Sequence, residues 1–175
     1  AAVDAGSLSV MINSGDLNGI PVHADKRILT DLLRTELQFD GVAVTDWEDI
    51  IKLHQFHKIA PTLKDAVKMA INAGIDMSMV PNDYKFSDLL LELVNEGEVP
   101  MSRIDESVRR ILVMKQRLGL FENPFTPDNY DYPLVASDSF VNHSYQIATE
   151  AITLLKNNNS TLPLSEDKKI FVTGP

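Results

Sequence analysis

The stretch GVAVTDWEDI, residues 41–50, holds the group best placed to do chemistry. Val42, Ala43 and Val44 read as a buried strand, and Asp46 and Trp47 follow at once. A carboxylate at the end of a buried strand is costly to desolvate unless something pairs with it or uses it. In parallel α/β folds, reactive groups gather at the carboxyl ends of the strands, which is where Asp46 falls. Its competing reading is a cap on a turn or on the next helix. Glu48 and Asp49 read as solvated loop or cap acids. Asn13, Ser14 and Asp16 follow an earlier strand and face the same rim, although turn chemistry accounts for NSGDLNG. Asp76 reads as structural, held in a salt bridge. His54 and His57 are three apart, a spacing that does not match the His-Glu-x-x-His pattern of zinc proteases. His23 and His143 read as ordinary surface or core histidines. Met77 and Met79 alternate as filling for the interior.

These groups need elements to position them. Residues 7–12 read as a strand, and 24–37 as a helix with Ile28, Leu29, Leu32, Leu33 and Leu37 on one stripe. The strand 41–45 follows the turn signal FDG. A helix over 62–73 opens with a Thr62/Asp65 capping box and stops at Gly74. Residues 75–80 read as a third strand and 86–96 as a helix ending at Gly97. A longer helix starts at Ser102 or Asp105, turns Ile104, Val108, Ile111, Leu112 and Leu118 inward, and ends at Gly119. Strands and helices alternate, which favours a parallel sheet with helical crossovers. Residues 121–137 hold three prolines and few aliphatics and read as a linker. A helix over 138–156 follows, then the loop NNNSTLPLS, then KIFVTGP as a strand running into a turn. The last strand lacks a neighbour for its backbone groups. With an opening Ala-Ala-Val, it suggests an excerpt of a longer polypeptide.

Composition narrows the class. Of the 175 residues, 44% are hydrophobic and 23% charged, as in ordinary soluble domains. A net charge of −9 with scattered Lys and Arg argues against a nucleic-acid partner. No apolar run is long enough for a membrane span. The absence of cysteine excludes disulfides and thiolate metal sites. Asn142, Asn158 and Asn159 each begin an N-x-S/T sequon, relevant only to a secreted eukaryotic chain.

Several stretches together resemble family 3 glycoside hydrolases of the β-glucosidase type. They are SVMINSGDLNGIPVHA, LLRTELQFDGVAVTDWEDI, AVKMAINAGIDMSMVP, RIDESVRRILVMKQRLGLFENP and EAITLLKNNNSTLPLSEDKKIFVTGP, in the family's order. The resemblance implies an α/β chain holding the last third of a (β/α)8-like barrel over 1–120. A linker over 121–137 and the first helix and strand of an α/β sandwich over 138–175 would follow. It implies a retaining, exo-acting β-glycosidase, most simply a β-glucosidase acting on β-linked oligosaccharides or glucans. Asp46 would be the nucleophile, Trp47 a residue lining the sugar site, and Ser14 would stand where many members carry a Tyr beside the nucleophile. No metal or organic cofactor is implied. The acid/base and the groups that grip the sugar hydroxyls would come from the remainder of the polypeptide, and the setting would be periplasmic or extracellular. β-Xylosidase and β-N-acetylglucosaminidase are the alternatives within the family. A non-catalytic carbohydrate-binding relative is the alternative outside enzymes. An unrelated barrel lyase or aldolase would want a Schiff-base Lys or a Gly-rich phosphate loop at a strand end, and neither is present.

Overall fold

The computed structural model describes residues 2–125 and 132–174, which fall into two units, 1–125 and 126–175. The first unit is built on a parallel sheet of β1 (Ser9–Met11), β4 (Val42–Trp47) and β5 (Met77–Met79), in the order β1-β4-β5. Between β1 and β4 lies a small hairpin, β2 (Asp16–Leu17) and β3 (Ile20–Pro21). Its turn is Asn18-Gly19, both at positive φ, the geometry an Asn-Gly pair adopts most readily.

Residue parity divides the sheet into two faces. Val10 and Ala43 sit side by side and pack into the core with Leu29, Ile50, Leu53, Val67 and Ile75. Each fully buried Leu, Ile or Val of this set contributes about 1.5–3 kcal/mol. Met11, Val44 and Met77 are paired across the three strands on the other face, and both methionines remain about half exposed.

Among the described residues the first unit has four α-helices, α1 (Asp49–Gln55), α2 (Leu63–Ala73), α3 (Lys85–Asn95) and α4 (Met101–Arg117), and the second has one, α5 (Asp138–Ala151). The capping box on α2 forms as expected: Thr62 accepts from the Asp65 N–H, and Asp65 accepts from the Thr62 N–H. Gly74 ends α2 at φ +132, where a Cβ would also meet Leu29 at 3.1 Å.

Several expectations are corrected. The helix expected over 24–37 is a short 3-10 turn, Val22–Ala24, followed by a π-helical segment, Arg27–Glu36. Its i→i+5 winding, as in Leu37 N–H to Leu32 O, leaves Leu32 and Leu37 partly exposed and buries Leu29. α4 starts at Met101, directly after Pro100, rather than at Ser102 or Asp105. Its inward face is mixed: Ile104 packs against the core and Ile111 is partly buried, as expected, but Ser107 and Arg110 are the buried residues, while Val108, Leu112 and Leu118 are about half exposed. The cause is Asp76, described below, which draws that face toward a buried charge.

In the second unit, α5 is capped by Ser137 and stops at Ala151 rather than continuing to 156, and none of its residues is buried. Residues 168–174 form no strand, because nothing among the described residues pairs with them; Ile170, Phe171 and Val172 stay exposed. The middle of the expected linker, 126–131, lies outside the described residues.

Candidate active site

The register of the sheet positions the site. Ser9 pairs with Val42 and Met11 with Val44, and the ladder continues with Ile12 N–H donating to Val44 O at 2.9 Å. The same offset brings residues 13 and 14, just past β1, alongside Asp46 at the end of β4. Thr45 points the other way, fully buried, and its hydroxyl accepts the Met79 N–H at 2.9 Å. The chain then turns sharply through Glu48, which adopts φ +58 and donates its N–H to Met79 O at 3.0 Å. This left-handed residue starts α1 at once, so Asp46 and Asp49 flank one tight strand-to-helix turn.

Ser14 stands between the two acids. Its hydroxyl is 2.7 Å from Oδ2 of Asp49 and 3.4 Å from Oδ2 of Asp46. The other oxygen of Asp46, Oδ1, accepts the Trp47 N–H at 2.6 Å. Asp46 is half-buried, and the Trp47 ring is 54% exposed beside it. An exposed indole next to a carboxylate offers a flat apolar face to a ligand that the carboxylate can reach.

Asp49 is the buried acid of the pair. The expectation that it is solvated is corrected: its side chain is 1% exposed, with Lys52 Nζ 2.5 Å from Oδ1. A carboxylate so deeply placed needs such partners. The Asp49 hydrogen bond holds the Lys52 ammonium above the ordinary lysine range. His23 closes the cluster, with Nε2 at 3.5 Å from Oδ2 of Asp49 and no hydrogen-bond partner among the described residues. Burial pushes the His23 imidazolium down; Asp49 and Asp46 pull the other way, while Lys52 and His57 add to the fall, and the net direction is downward. His23 is therefore a core histidine aimed at the site. Ser14, Lys52, Phe56 and His57 line an open cavity of about 340 Å³ beside these groups.

The other sequence candidates lie elsewhere. Nδ1 of His54 is 2.9 Å from Ala60 O, and His57 meets the edge of Phe56, so the two histidines do not share a ligand. Asp76 is structural, as expected, and more elaborately than one salt bridge. Its oxygens receive Arg34 at 2.6 Å, Arg110 and Ser107 at 2.9 Å, Arg103 at 3.1 Å and the Ala43 N–H at 3.0 Å. Burial raises the Asp76 pKa, but the Ala43 N–H and the Arg110 and Arg34 guanidiniums outweigh it and hold the carboxyl below its ordinary range.

Asp49, His23 and Lys52 are not legible as a group in the sequence. The Asp49/Lys52 spacing on α1 was a usable signal, since residues three apart meet on a helix. Nothing local linked either one to Ser14 or His23.

Comparison with known proteins fits this architecture. Residues 1–114 match the family described as Glycosyl hydrolase family 3 N terminal domain, and the chain belongs to that family. It is 48% identical over 178 residues to a lysosomal beta glucosidase of Dictyostelium discoideum, a match covering all of this chain and 22% of that protein. It is 37% identical over 180 residues to a periplasmic beta-glucosidase of Salmonella typhimurium, covering all of this chain and 23% of that protein. Among solved structures, a beta-glucosidase from Listeria innocua superposes with a TM-score of 0.77 at 31% identity, covering 94% of this chain and 22% of the other. The chain thus spans about a fifth to a quarter of the length of the relatives it matches. No helix among the described residues is long and apolar enough to cross a membrane.

Proposed function

We propose that the chain is the part of a retaining, exo-acting β-glucosidase that carries its nucleophile, Asp46. The observation that carries this reading is the placement of Asp46: a half-buried carboxylate at the carboxyl end of a central parallel strand, beside an exposed Trp47 and within reach of Ser14. Family membership and the names of the relatives support it. The Listeria innocua enzyme has been solved with glucose and with laminaribiose, which supports a β-linked glucoside as the substrate class.

Residues 1–120 form, on this reading, the C-terminal part of a (β/α)8-like barrel. Three parallel strands, helices against one sheet face, and half-exposed Met11 and Met77 on the other face support that assignment. Residues 121–137 are the linker, and 138–175 begin a second domain. The rest of the polypeptide supplies the acid/base and the remaining barrel strands. The compartment is periplasmic or extracellular, a reading that the periplasmic relative supports.

The reaction proceeds by double displacement. An oxygen of Asp46 attacks the anomeric carbon as the glycosidic C–O bond breaks, and the departing oxygen takes a proton from the acid/base. Water then attacks the anomeric carbon, the acid/base accepts its proton, and the ester to Asp46 breaks. Trp47 supplies the stacking face for the sugar, and Ser14 borders the pocket. A second reading, β-xylosidase, has the support of a Formosa agariphila beta-xylosidase 34% identical over 184 residues.

The test is covalent trapping. The full-length protein is treated with a 2-deoxy-2-fluoro-β-glucoside bearing an activated leaving group, and the labelled peptide is mapped by mass spectrometry. A fluoroglucosyl adduct on Asp46 is expected. Turnover of β-glucosides with the adduct on another carboxylate would overturn the assignment.

A further inference from the structure

Two carboxylates compete for one hydroxyl proton at the mouth of this site. Ser14 can donate a single hydrogen bond. Oδ2 of Asp49 is 2.7 Å from its oxygen, whereas Oδ2 of Asp46 is 3.4 Å away. The proton therefore goes to Asp49. Asp49 is fixed as the receiver: its side chain is almost wholly buried, Lys52 holds the opposite oxygen at 2.5 Å, and the α1 backbone carries both. His23 Nε2, at 3.5 Å from the same Oδ2, makes no hydrogen bond to it and leaves that oxygen to Ser14.

We infer that Asp49 is a positioning residue for the nucleophile, acting through Ser14: it draws the serine proton away from Asp46 and so keeps Oδ2 of Asp46 free to attack. This rests on the reading of Asp46 as the nucleophile. With Oδ1 held by the Trp47 N–H, Oδ2 is the oxygen left for attack. A hydrogen bond donated to that oxygen would stabilise the free carboxylate and weaken as the new C–O bond forms. An interaction stronger in the ground state than in the transition state slows the step. Asp49 removes that penalty without touching substrate. The bonds made and broken are those of the double displacement already described, and neither Ser14 nor Asp49 gains or loses a proton in it.

The experiment is a double-mutant cycle on the full-length protein, read as the rate of fluoroglucosyl labelling of Asp46, with glucose binding measured alongside. In Asp49→Asn the residue keeps its shape, but its neutral amide competes poorly, and the Ser14 proton turns to Asp46. Labelling is expected to slow by about tenfold or more, the scale of one hydrogen bond to a charged group. Glucose affinity is expected to change by less than about twofold, because the effect lies in attack rather than binding. With Ser14→Ala already present, the same Asp49→Asn change is expected to cost less than about threefold, since no proton remains to misdirect. Asp49→Glu, which restores an anionic acceptor, is expected to label faster than Asp49→Asn.

Two results would overturn the inference. One is Asp49→Asn labelling at the wild-type rate. The other is an equal loss with and without the Ser14 hydroxyl, which marks a structural role. If Asp49→Asn does not fold, Asp49→Ala takes its place: it too removes the anionic acceptor, Lys52 at 43% exposure can turn to water, and the same comparison is read in both Ser14 backgrounds. A wild-type protein that turns over β-glucosides but never labels on Asp46 removes the nucleophile assignment itself. Labelling of Asp46 without the coupling removes only this inference.

Discussion

Nε2 of His23 stands 3.5 Å from Oδ2 of Asp49, with the two side chains 3% and 1% exposed. Burial is the largest influence on the imidazole and keeps its folded pKa below the ordinary histidine value. The unfolded chain binds a proton at about pH 6.5, before the folded chain does. The His23 contribution to stability is therefore complete above that pH and is lost as pH falls toward the lower folded value. Thermal midpoints of the full-length protein, measured downward from about pH 7, are expected to fall more steeply for wild type than for His23→Asn. Parallel curves would show that the buried imidazole does not set this slope.

Asp76 offers the largest stability effect. Asp76→Asn leaves Arg34, Arg103 and Arg110 facing one another with Glu106, itself 43% exposed, as the remaining acid close by. Removing one partner of a buried ionic cluster costs about 3–5 kcal/mol. Denaturant unfolding is expected to register a loss on that scale. The pH sign is the same as for His23: the folded Asp76 pKa is depressed, so its contribution is complete above the ordinary carboxylate range. It is lost progressively as pH falls from that range through the depressed value, and acid unfolding of Asp76→Asn is expected to lack that step.

Asp46→Gly is expected to abolish turnover of β-glucosides in the full-length protein. Added azide, small enough to enter the space left by the carboxylate, is expected to attack an activated β-glucoside from the vacated side. The product is then the α-glucosyl azide, identified by NMR. Formation of the β-azide, or undiminished hydrolysis by the variant, would place the nucleophile elsewhere.

Gly41 is a test of packing rather than chemistry. A Cβ there would lie 2.4 Å from Leu8 O and 2.5 Å from Phe39 Cζ, where β1 and β4 first meet. Gly41→Ala is expected to cost about 1–3 kcal/mol through overpacking. The melting temperature should fall accordingly, while Gly119→Ala, with open space at its Cβ, isolates the cost of a positive φ.

Legibility in the sequence followed distance along the chain. Thr62, Asp65 and Gly74 announce α2 because caps and stops act within a turn or two. Asp46 was visible because a strand and its end lie in six consecutive residues. The polar face of α4 was not visible: Ser107 and Arg110 turn inward only because Asp76 waits 31 and 34 residues earlier. Asp49 reads as a cap acid until the sheet register brings Ser14 to it across 35 residues. The π winding of Arg27–Glu36 was hidden for another reason, since a stripe of leucines suits both windings until packing selects one.

The ring of donors around Asp76 also acts as a proofreading device for assembly. Its ligands come from the π-helical segment, from the backbone of β4 and from α4, while Asp76 itself immediately precedes β5. A one-residue slip of β5 along β4 would send the carboxylate to the opposite face. There it would forfeit every guanidinium and leave Arg34, Arg103 and Arg110 largely buried with Glu106 as their remaining acid. Mispaired sheets are thereby penalised far more heavily than the loss of apolar contacts alone would impose. The neighbouring strand that bears Asp46 inherits that fidelity without contributing a side chain to it.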